Sequence, residues 1–273
     1  MQCDVFSTVP TGGNGLAVIL DGDGISTEDM QAFARWTNLA ETTFVCPPTV
    51  DGADYDIRIF TPAREMEFAG HPTLGTAQCW LAAGNSPAVA GKIVQNCRVG
   101  LVDIDLTGDV PAFVAPPTTI APMADDVLAR LLAQFDLDPA NVVNAAVLNN
   151  GPEWHAIEMR SADEILSIDL NSRGQTEKVA LGLIGRHENG DPAEYEVRMF
   201  GMLFGIKEDP ITGSLNAALA HWFQGMGRAD APYMVAQGTQ IGRVGRVHVI
   251  PTQDGQMKIG GHTNILIEGQ VTL

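Results

Sequence analysis

Two segments of this chain have the composition of helices that are buried on every side. They are residues 72–83 (PTLGTAQCWLAA) and residues 213–223 (GSLNAALAHWF). A helix at a protein surface keeps one polar face, so a helix that is apolar all round must be enclosed by other elements. Short alternating segments typical of half-buried strands occur around both, for example residues 54–60 and 102–106. This pattern predicts barrel-like sheets wrapped around central helices.

The two halves of the sequence repeat one arrangement. RIF (58–60) is followed by a loop, by GHPT (70–73) and by the first apolar helix. RMF (198–200) is likewise followed by a loop, by DPITG (209–213) and by the second apolar helix. The offset is about 140 residues, which is half of the chain, and repetition at such an offset indicates an internal duplication.

The duplication predicts an α+β fold of two pseudo-symmetric domains, each a barrel-like mixed sheet around a central buried helix. We expect the first domain at residues 1–115 and the second at residues 120–264. The linker is expected in the proline-rich stretch 110–121. The final strand, residues 265–273, is a candidate to return to the first domain.

Composition excludes several classes of protein. Hydrophobic residues make up 45% of the 273 residues and charged residues 18%, which is enough apolar material for a core. The net charge of −17 disfavours binding to nucleic acid and to an anionic membrane surface. No secretory signal or membrane-spanning segment is visible, so we expect a cytoplasmic protein.

The spacing of cysteines and of potential metal ligands indicates no cofactor. The four cysteines are Cys3, Cys46, Cys79 and Cys97, without the spacing of a disulfide framework or a zinc site. We expect reduced, mostly buried thiols. The histidines, carboxylates and glycines show no metal spacing, no dinucleotide fingerprint and no phosphate-binding loop, so the sequence predicts neither a metal nor a cofactor.

Three segments carry groups suited to proton transfer. Glu41 follows a predicted helix and leads into an apolar strand, where low polarity would favour a raised pKa and acid/base function. His71 stands between Gly70 and Pro72 at the start of the first apolar helix, where free N–H groups attract anions. Asp209 and Thr212 stand at the matching place in the second half.

Each segment also has an ordinary structural explanation. Glu41 is also consistent with a solvated loop carboxylate, and His71 with a structural histidine. Asp209 and Thr212 are also consistent with capping of the second helix. Two such helix starts facing one another across an inter-domain cleft would instead form an anion-binding pocket.

These segments resemble the phenazine-biosynthesis isomerase family (PhzF-like proteins). The motifs that carry the resemblance are DVF (4–6), GN (13–14), NLAETTF (38–44), RIFTP (58–62), FAGHPTLG (68–75) and EDPITGSLN (208–216). The resemblance runs through most of the chain. It implies a fold similar to diaminopimelate epimerase, and it implies a homodimer.

The resemblance also implies a chemistry, a cofactor-free isomerisation of a small carboxylate similar to that of trans-2,3-dihydro-3-hydroxyanthranilate. Glu41 would be the general acid/base, and His71 and Asp209 would orient the substrate or relay the proton. The implied substrate-binding residues, which supply main-chain N–H groups or hydroxyls, are Gly70, Thr73, Thr212, Gly213 and Ser214.

Two departures from the family pattern bear on the substrate. Ala40 stands where the phenazine enzyme has Ser before its Glu, and Gly15 replaces the Pro of a Gly-Asn-Pro motif. The resemblance therefore supports the type of reaction more strongly than the identity of the substrate.

The sequence is compatible with alternative functions. A two-thiol racemase on the same fold is excluded, because no cysteine follows Cys97 and the two helix starts carry Gly70-His71 and Gly213-Ser214. A non-catalytic small-molecule binding protein on the same scaffold is the main alternative, and lyase or hydrolase chemistry is a further one.

Overall fold

The computed structural model describes residues 1–170, 178–188, 191–201, 203 and 207–273. The chain divides into two compact units. The first comprises Met1–Val114 together with Lys258–Leu273, and the second comprises Ala115–Met257. Within the described ranges, no helix has the length and apolar character needed to cross a membrane.

The first unit is a mixed sheet around one helix. Its strands are β1 (Gln2–Val5), β2 (Asn14–Ile19), β3 (Glu41–Cys46), β4 (Tyr55–Phe60), β5 (Glu65–Met66), β6 (Lys92–Cys97), β7 (Gly100–Asp105), β8 (Ala112–Val114), β16 (Met257–Gly260) and β17 (Thr263–Ile267). Its helices are α1 (Thr27–Thr37) and α2 (Gly70–Ala82). The strands pair in the order β17-β1-β2-β3-β4-β6-β7-β8-β16, and β5 pairs with β4. Helix α2 contacts β1, β2 and β3 near one end of this order and β8 near the other, so the sheet curves around the helix.

The second unit has the same design. Its strands are β9 (Thr119–Pro122), β10 (Val142–Asn149), β11 (Glu153–Met159), β12 (Ala180–Arg186), β13 (Tyr195–Gly201), β14 (Tyr233–Gln237) and β15 (Gly245–Pro251). Its helices are α3 (Asp125–Phe135), α4 (Ala162–Leu166) and α5 (Gly213–Gly225). The strands pair in their chain order from β9 to β15. Helix α5 contacts β10 and β15, which lie toward opposite ends of that order.

The two units follow one path of the chain. The series β1-β2-α1-β3-β4-α2-β6-β7 corresponds to β10-β11-α4-β12-β13-α5-β14-β15. In each series the second and third strands are parallel, and the strands before and after the central helix are also parallel. The remaining neighbours in both series are antiparallel. The predicted α+β fold with two pseudo-symmetric parts is confirmed.

The repeated Arg-x-Phe motif has a structural role in both units. Both carboxylate oxygens of Glu65 accept from Arg58, over 2.8 and 2.9 Å, and the Arg58 guanidinium lies 5.2 Å from the centre of the Phe60 ring. Arg198 makes the same pair of bonds to Glu208, over 2.9 and 2.7 Å, and its guanidinium lies 4.9 Å from the Phe200 ring. A bidentate ion pair stacked on an aromatic ring therefore holds β4 and β13 to the segments that follow them.

The central helices are buried as their composition predicts. In α5, Leu215, Ala217 and Phe223 have no exposed surface, and in α2 Leu74 is 1% exposed. The backbone of α2 also approaches its sheet very closely at Gly75, where an added Cβ would lie 2.6 Å from the Leu16 side chain. Only glycine fits there without displacing neighbours.

Three details differ from the sequence-based expectation. The proline-rich stretch 110–121 contains the division between the units, after Val114, but it also contains β8 and the start of β9, with its prolines at 111, 116 and 117 outside both strands. The predicted final strand at 265–273 is β17, which begins at Thr263 and ends at Ile267. Helix α4 was not predicted, although Ser161 and Glu164 form a reciprocal capping box at its start.

Candidate active site

Glu41 and His71 meet inside the first unit. Glu41 is the first residue of β3, and His71 is the second residue of α2, which packs against β3. Nε2 of His71 lies 3.2 Å from Oε2 of Glu41, and their side chains are 6% and 17% exposed respectively. The two atoms lie within the distance of a proton transfer, although they are not oriented as a hydrogen bond to one another in this structure.

Burial sets the protonation of His71. Loss of hydration disfavours the imidazolium ion and lowers the pKa of His71 from 6.5 to about 3. The imidazole is therefore neutral at neutral pH, with one ring nitrogen available as an acceptor and the other as a donor. A neutral His71 can accept a proton from a Glu41 carboxylic acid or donate one to a Glu41 carboxylate.

The acidic group is present in only one of the two units. Strand pairing places Thr42 opposite Phe60 in the first unit and Leu181 opposite Phe200 in the second. The residue that corresponds to Glu41 is therefore Ala180. At this position the duplication has left an acidic side chain in the first unit and an alanine in the second.

The start of α2 carries no side-chain cap. Ala69 occupies the N-cap position, and Gly70 begins the helix. The hydroxyl of Thr73 donates to the Ala69 carbonyl over 3.0 Å and accepts from Gln95 Nε2 over 3.1 Å. Thr73 is fully buried, and the two hydrogen bonds of its hydroxyl group stabilise this helix start.

The start of α5 is built differently from a capped helix. Thr212 occupies the N-cap position, but its side chain makes no capping hydrogen bond. Its hydroxyl instead donates to Asp209 Oδ2 over 2.5 Å. The Thr212 side chain therefore does not cap the helix, and it pairs with Asp209 instead.

Gly213 and Ser214 stand in α5 where Gly70 and His71 stand in α2, as the first two residues of the helix. Ser214 is half-buried, and its main-chain carbonyl accepts from Asn150 Nδ2 over 2.8 Å. The predicted residues thus form two groups, one at each central helix start. An uncapped helix start presents main-chain N–H groups that favour an anion such as a carboxylate.

Two buried glutamines were missed by sequence reasoning. Gln95 in β6 and Gln237 in β14 have no exposed surface and bond to the starts of α2 and α5 respectively. Each lies on the strand that follows its helix and pairs parallel with the strand before it. The only signal in the sequence is a polar residue at the end of an apolar run.

Other features of the described residues lie apart from these groups. A cavity of about 290 Å³ in the second unit is lined by residues of α3, α4 and their neighbours, and no predicted site residue lines it. Within the part of the chain that the structure describes, no group of three or more His, Cys, Asp or Glu residues could hold a metal ion.

Comparison with known proteins shows which family has this architecture. The chain superimposes over its full length on 98% of a Bacillus anthracis phenazine biosynthesis protein of the PhzF family, with a TM-score of 0.85 and 21% sequence identity. The sequence profile described as phenazine biosynthesis-like protein matches residues 3–269. This chain therefore belongs to the phenazine biosynthesis-like (PhzF) family, as the resemblance of its motifs implied.

Two relatives illustrate the range of names within the family. The chain is 32% identical to antisense-enhancing sequence 1 of Schizosaccharomyces pombe, over 98% of this chain and 97% of that protein. It is also 32% identical to the trans-2,3-dihydro-3-hydroxyanthranilate isomerase of Pseudomonas aeruginosa, over 99% of this chain and 98% of that protein.

Proposed function

We propose that this protein is an isomerase that moves a proton between carbon atoms of a small carboxylate, with Glu41 as the general acid/base and without a metal or cofactor. The observation that carries the proposal is the 3.2 Å separation between Glu41 and a His71 kept neutral by burial. Relatives named as isomerases, such as the Pseudomonas aeruginosa protein, support the reaction type.

The proposed step conserves atoms and electrons. The Glu41 carboxylate takes a proton from an activated C–H bond, and the electron pair of that bond forms a new C=C bond. The pair of an adjacent C=C bond shifts to a more distant carbon, which takes up the proton. A single carboxyl group held against a neutral imidazole can remove and return that proton near neutral pH.

The remaining predicted residues bind the substrate in this proposal. Main-chain N–H groups at Gly70, Gly213 and Ser214 hold its carboxylate, since uncapped helix starts favour anions. His71 relays or directs the proton, and Asp209 accepts a hydrogen bond from a polar group of the substrate. Thr73 and Thr212 contribute by fixing the helix starts, because both hydroxyls are bonded to the protein.

We propose a substrate related to, but different from, trans-2,3-dihydro-3-hydroxyanthranilate. Ala40 removes the hydroxyl that precedes the Glu in the phenazine enzyme, so one polar contact beside the reacting group is lost. The homodimer and the cytoplasmic location expected from the sequence remain predictions that belong to this proposal.

The test combines turnover and binding. Proton NMR would follow the purified protein with trans-2,3-dihydro-3-hydroxyanthranilate and a panel of cyclic and amino-acid carboxylates, and calorimetry would measure binding of each compound. Glu41→Gln should abolish turnover and retain binding, while Glu28→Gln, at an exposed position of α1, serves as the matched control. Binding without turnover in the wild type would instead favour the non-catalytic alternative.

A further inference from the structure

Gln237 makes an unusually complete set of hydrogen bonds at the start of α5. Its Oε1 accepts from the main-chain N–H of Thr212 over 3.1 Å and from Asn216 Nδ2 over 2.9 Å. Its Nε2 donates to Thr212 Oγ1 over 3.0 Å and to the Asp209 carbonyl over 3.4 Å. One buried amide therefore bonds to Asp209, Thr212 and Asn216 in the segment that carries the predicted residues of this unit.

The main chain fixes which end of the amide is oxygen. The N–H of Thr212 can only donate, so it must face Oε1 of Gln237. The carbonyl of Asp209 can only accept, so it must face Nε2. These two contacts agree, and the amide has one orientation.

That orientation also fixes the direction of the next bond. Nε2 of Gln237 donates to the hydroxyl oxygen of Thr212, which leaves the hydroxyl's single proton to be donated elsewhere. Its acceptor is Oδ2 of Asp209, at 2.5 Å. The series Gln237, Thr212, Asp209 therefore runs in one direction and ends on a carboxylate oxygen.

We infer that Gln237 is a positioning residue that, through Thr212, keeps Oδ2 of Asp209 as a hydrogen-bond acceptor and so orients this carboxyl group toward the substrate. Oδ2 has no room for a proton of its own in this arrangement, because the Thr212 hydroxyl already points at it. The assignment to a substrate rests on the proposed function, whereas the directed series rests on the hydrogen bonds alone.

The first unit supplies a natural control. Gln95 bonds to the fourth residue of its central helix, Thr73, as Gln237 bonds to the fourth residue of α5, Asn216. The hydroxyl of Thr73, however, donates to the main-chain carbonyl of Ala69. The two glutamines anchor equivalent helix starts, but only the second one leads to a carboxylate.

The first experiment measures coupling without any substrate. Urea unfolding would compare wild type, Gln237→Leu, Asp209→Ala and the double variant, with Gln95→Leu in place of Gln237→Leu as the control cycle. The stability effects of substitutions at residues in one hydrogen-bond series depend on each other, whereas those of substitutions at distant residues are additive. Asp209→Ala should shift the urea midpoint less in the Gln237→Leu background than in wild type, and by an unchanged amount in the Gln95→Leu background. Additive shifts in the Gln237 cycle would overturn the inference.

The second experiment uses Gln237→Glu, which keeps the shape of the side chain. A protonated carboxyl group still accepts on one oxygen and donates one hydrogen bond, to the Thr212 hydroxyl, from the other. An ionised carboxylate only accepts and draws the Thr212 proton away from Asp209. The ratio of kcat/KM between this variant and wild type should therefore fall about tenfold from about pH 5 to about pH 8, with unchanged circular dichroism. A constant ratio would overturn the positioning role in catalysis.

The two experiments separate the possible failures. Coupling in the urea cycle with no turnover of any carboxylate by the wild type would refute the proposed function and leave the directed series standing. Turnover together with additive unfolding shifts would refute the directed series and leave the proposed function standing.

Discussion

Removing the negative partner of the buried ion pair in the second unit should cost far more stability than the same change in the first unit. The side chains of Arg198 and Glu208 are 3% and 4% exposed, whereas those of Arg58 and Glu65 are 29% and 11% exposed. Nη1 of Arg198 also donates to two main-chain carbonyls, over 2.7 and 2.9 Å. Glu208→Gln keeps the shape of the side chain and leaves the guanidinium buried without its counter-charge.

The expected magnitudes follow from burial. Breaking a buried ion pair by removing one partner costs about 3 kcal/mol, even with the guanidinium still bonded to carbonyls. The more exposed pair is screened by water, so Glu65→Gln should cost about 1 kcal/mol or less. With a urea dependence of about 3 kcal/mol per molar, these costs correspond to midpoint shifts of about 1 M and about 0.3 M.

The assay is equilibrium unfolding in urea, followed by circular dichroism and by tryptophan fluorescence. Both glutamates form the same bidentate pair with an arginine stacked on phenylalanine, and Glu65 also accepts from the exposed Arg98 over 2.6 Å. This extra exposed contact can only raise the cost of Glu65→Gln, so it works against the predicted difference. Equal shifts for Glu208→Gln and Glu65→Gln would refute the reasoning, since burial would then not determine the value of the pair.

Two further predictions concern the first unit. Gly75→Ala places a Cβ 2.6 Å from the side chain of Leu16, and overpacking of this kind should lower the melting temperature at a cost of about 1 to 3 kcal/mol. Burial of His71 makes stability depend on pH, because its pKa is lowered from 6.5 in the unfolded chain to about 3 in the folded protein. As the pH drops below 6.5 the unfolded chain binds a proton that the folded protein does not, so the free energy of unfolding falls. His71→Gln should remove part of that loss in unfolding measurements at about pH 7 and about pH 4, and an unchanged pH dependence would contradict the neutral assignment.

The central helices could be predicted because their apolar composition directly indicates that they are buried. Segments without a polar face have no stable place at a surface, so α2 and α5 follow from the sequence with boundaries that differ by only a few residues. The duplication could also be recognised in the sequence, because the Arg-x-Phe motif forms the same ion pair and ring contact in both units and is therefore present in both halves.

The details of the site depend on pairing that sequence patterns do not contain. Glu41 reaches His71 because β3 packs against α2, and these elements are separated in the chain by β4 and β5. Thr212 has the residue type and position of a helix cap, yet its hydroxyl bonds to Asp209. Gln237 stands out in the sequence only as a polar residue at the end of an apolar run, and its burial is explained by the partners that surround it in the fold.

The most direct test of the central claim is the deuterium content of the product formed in D2O. A substrate identified from the carboxylate panel would be turned over by wild type, Glu41→Gln and Glu28→Gln, and the product examined by NMR and mass spectrometry. We predict deuterium at the carbon that gains the proton for wild type and for Glu28→Gln, because the Glu41 carboxyl group exchanges the abstracted proton with solvent before it delivers a proton to that carbon. Glu41→Gln should form no product above the uncatalysed rate. Product formed by Glu41→Gln at the wild-type rate would contradict the account.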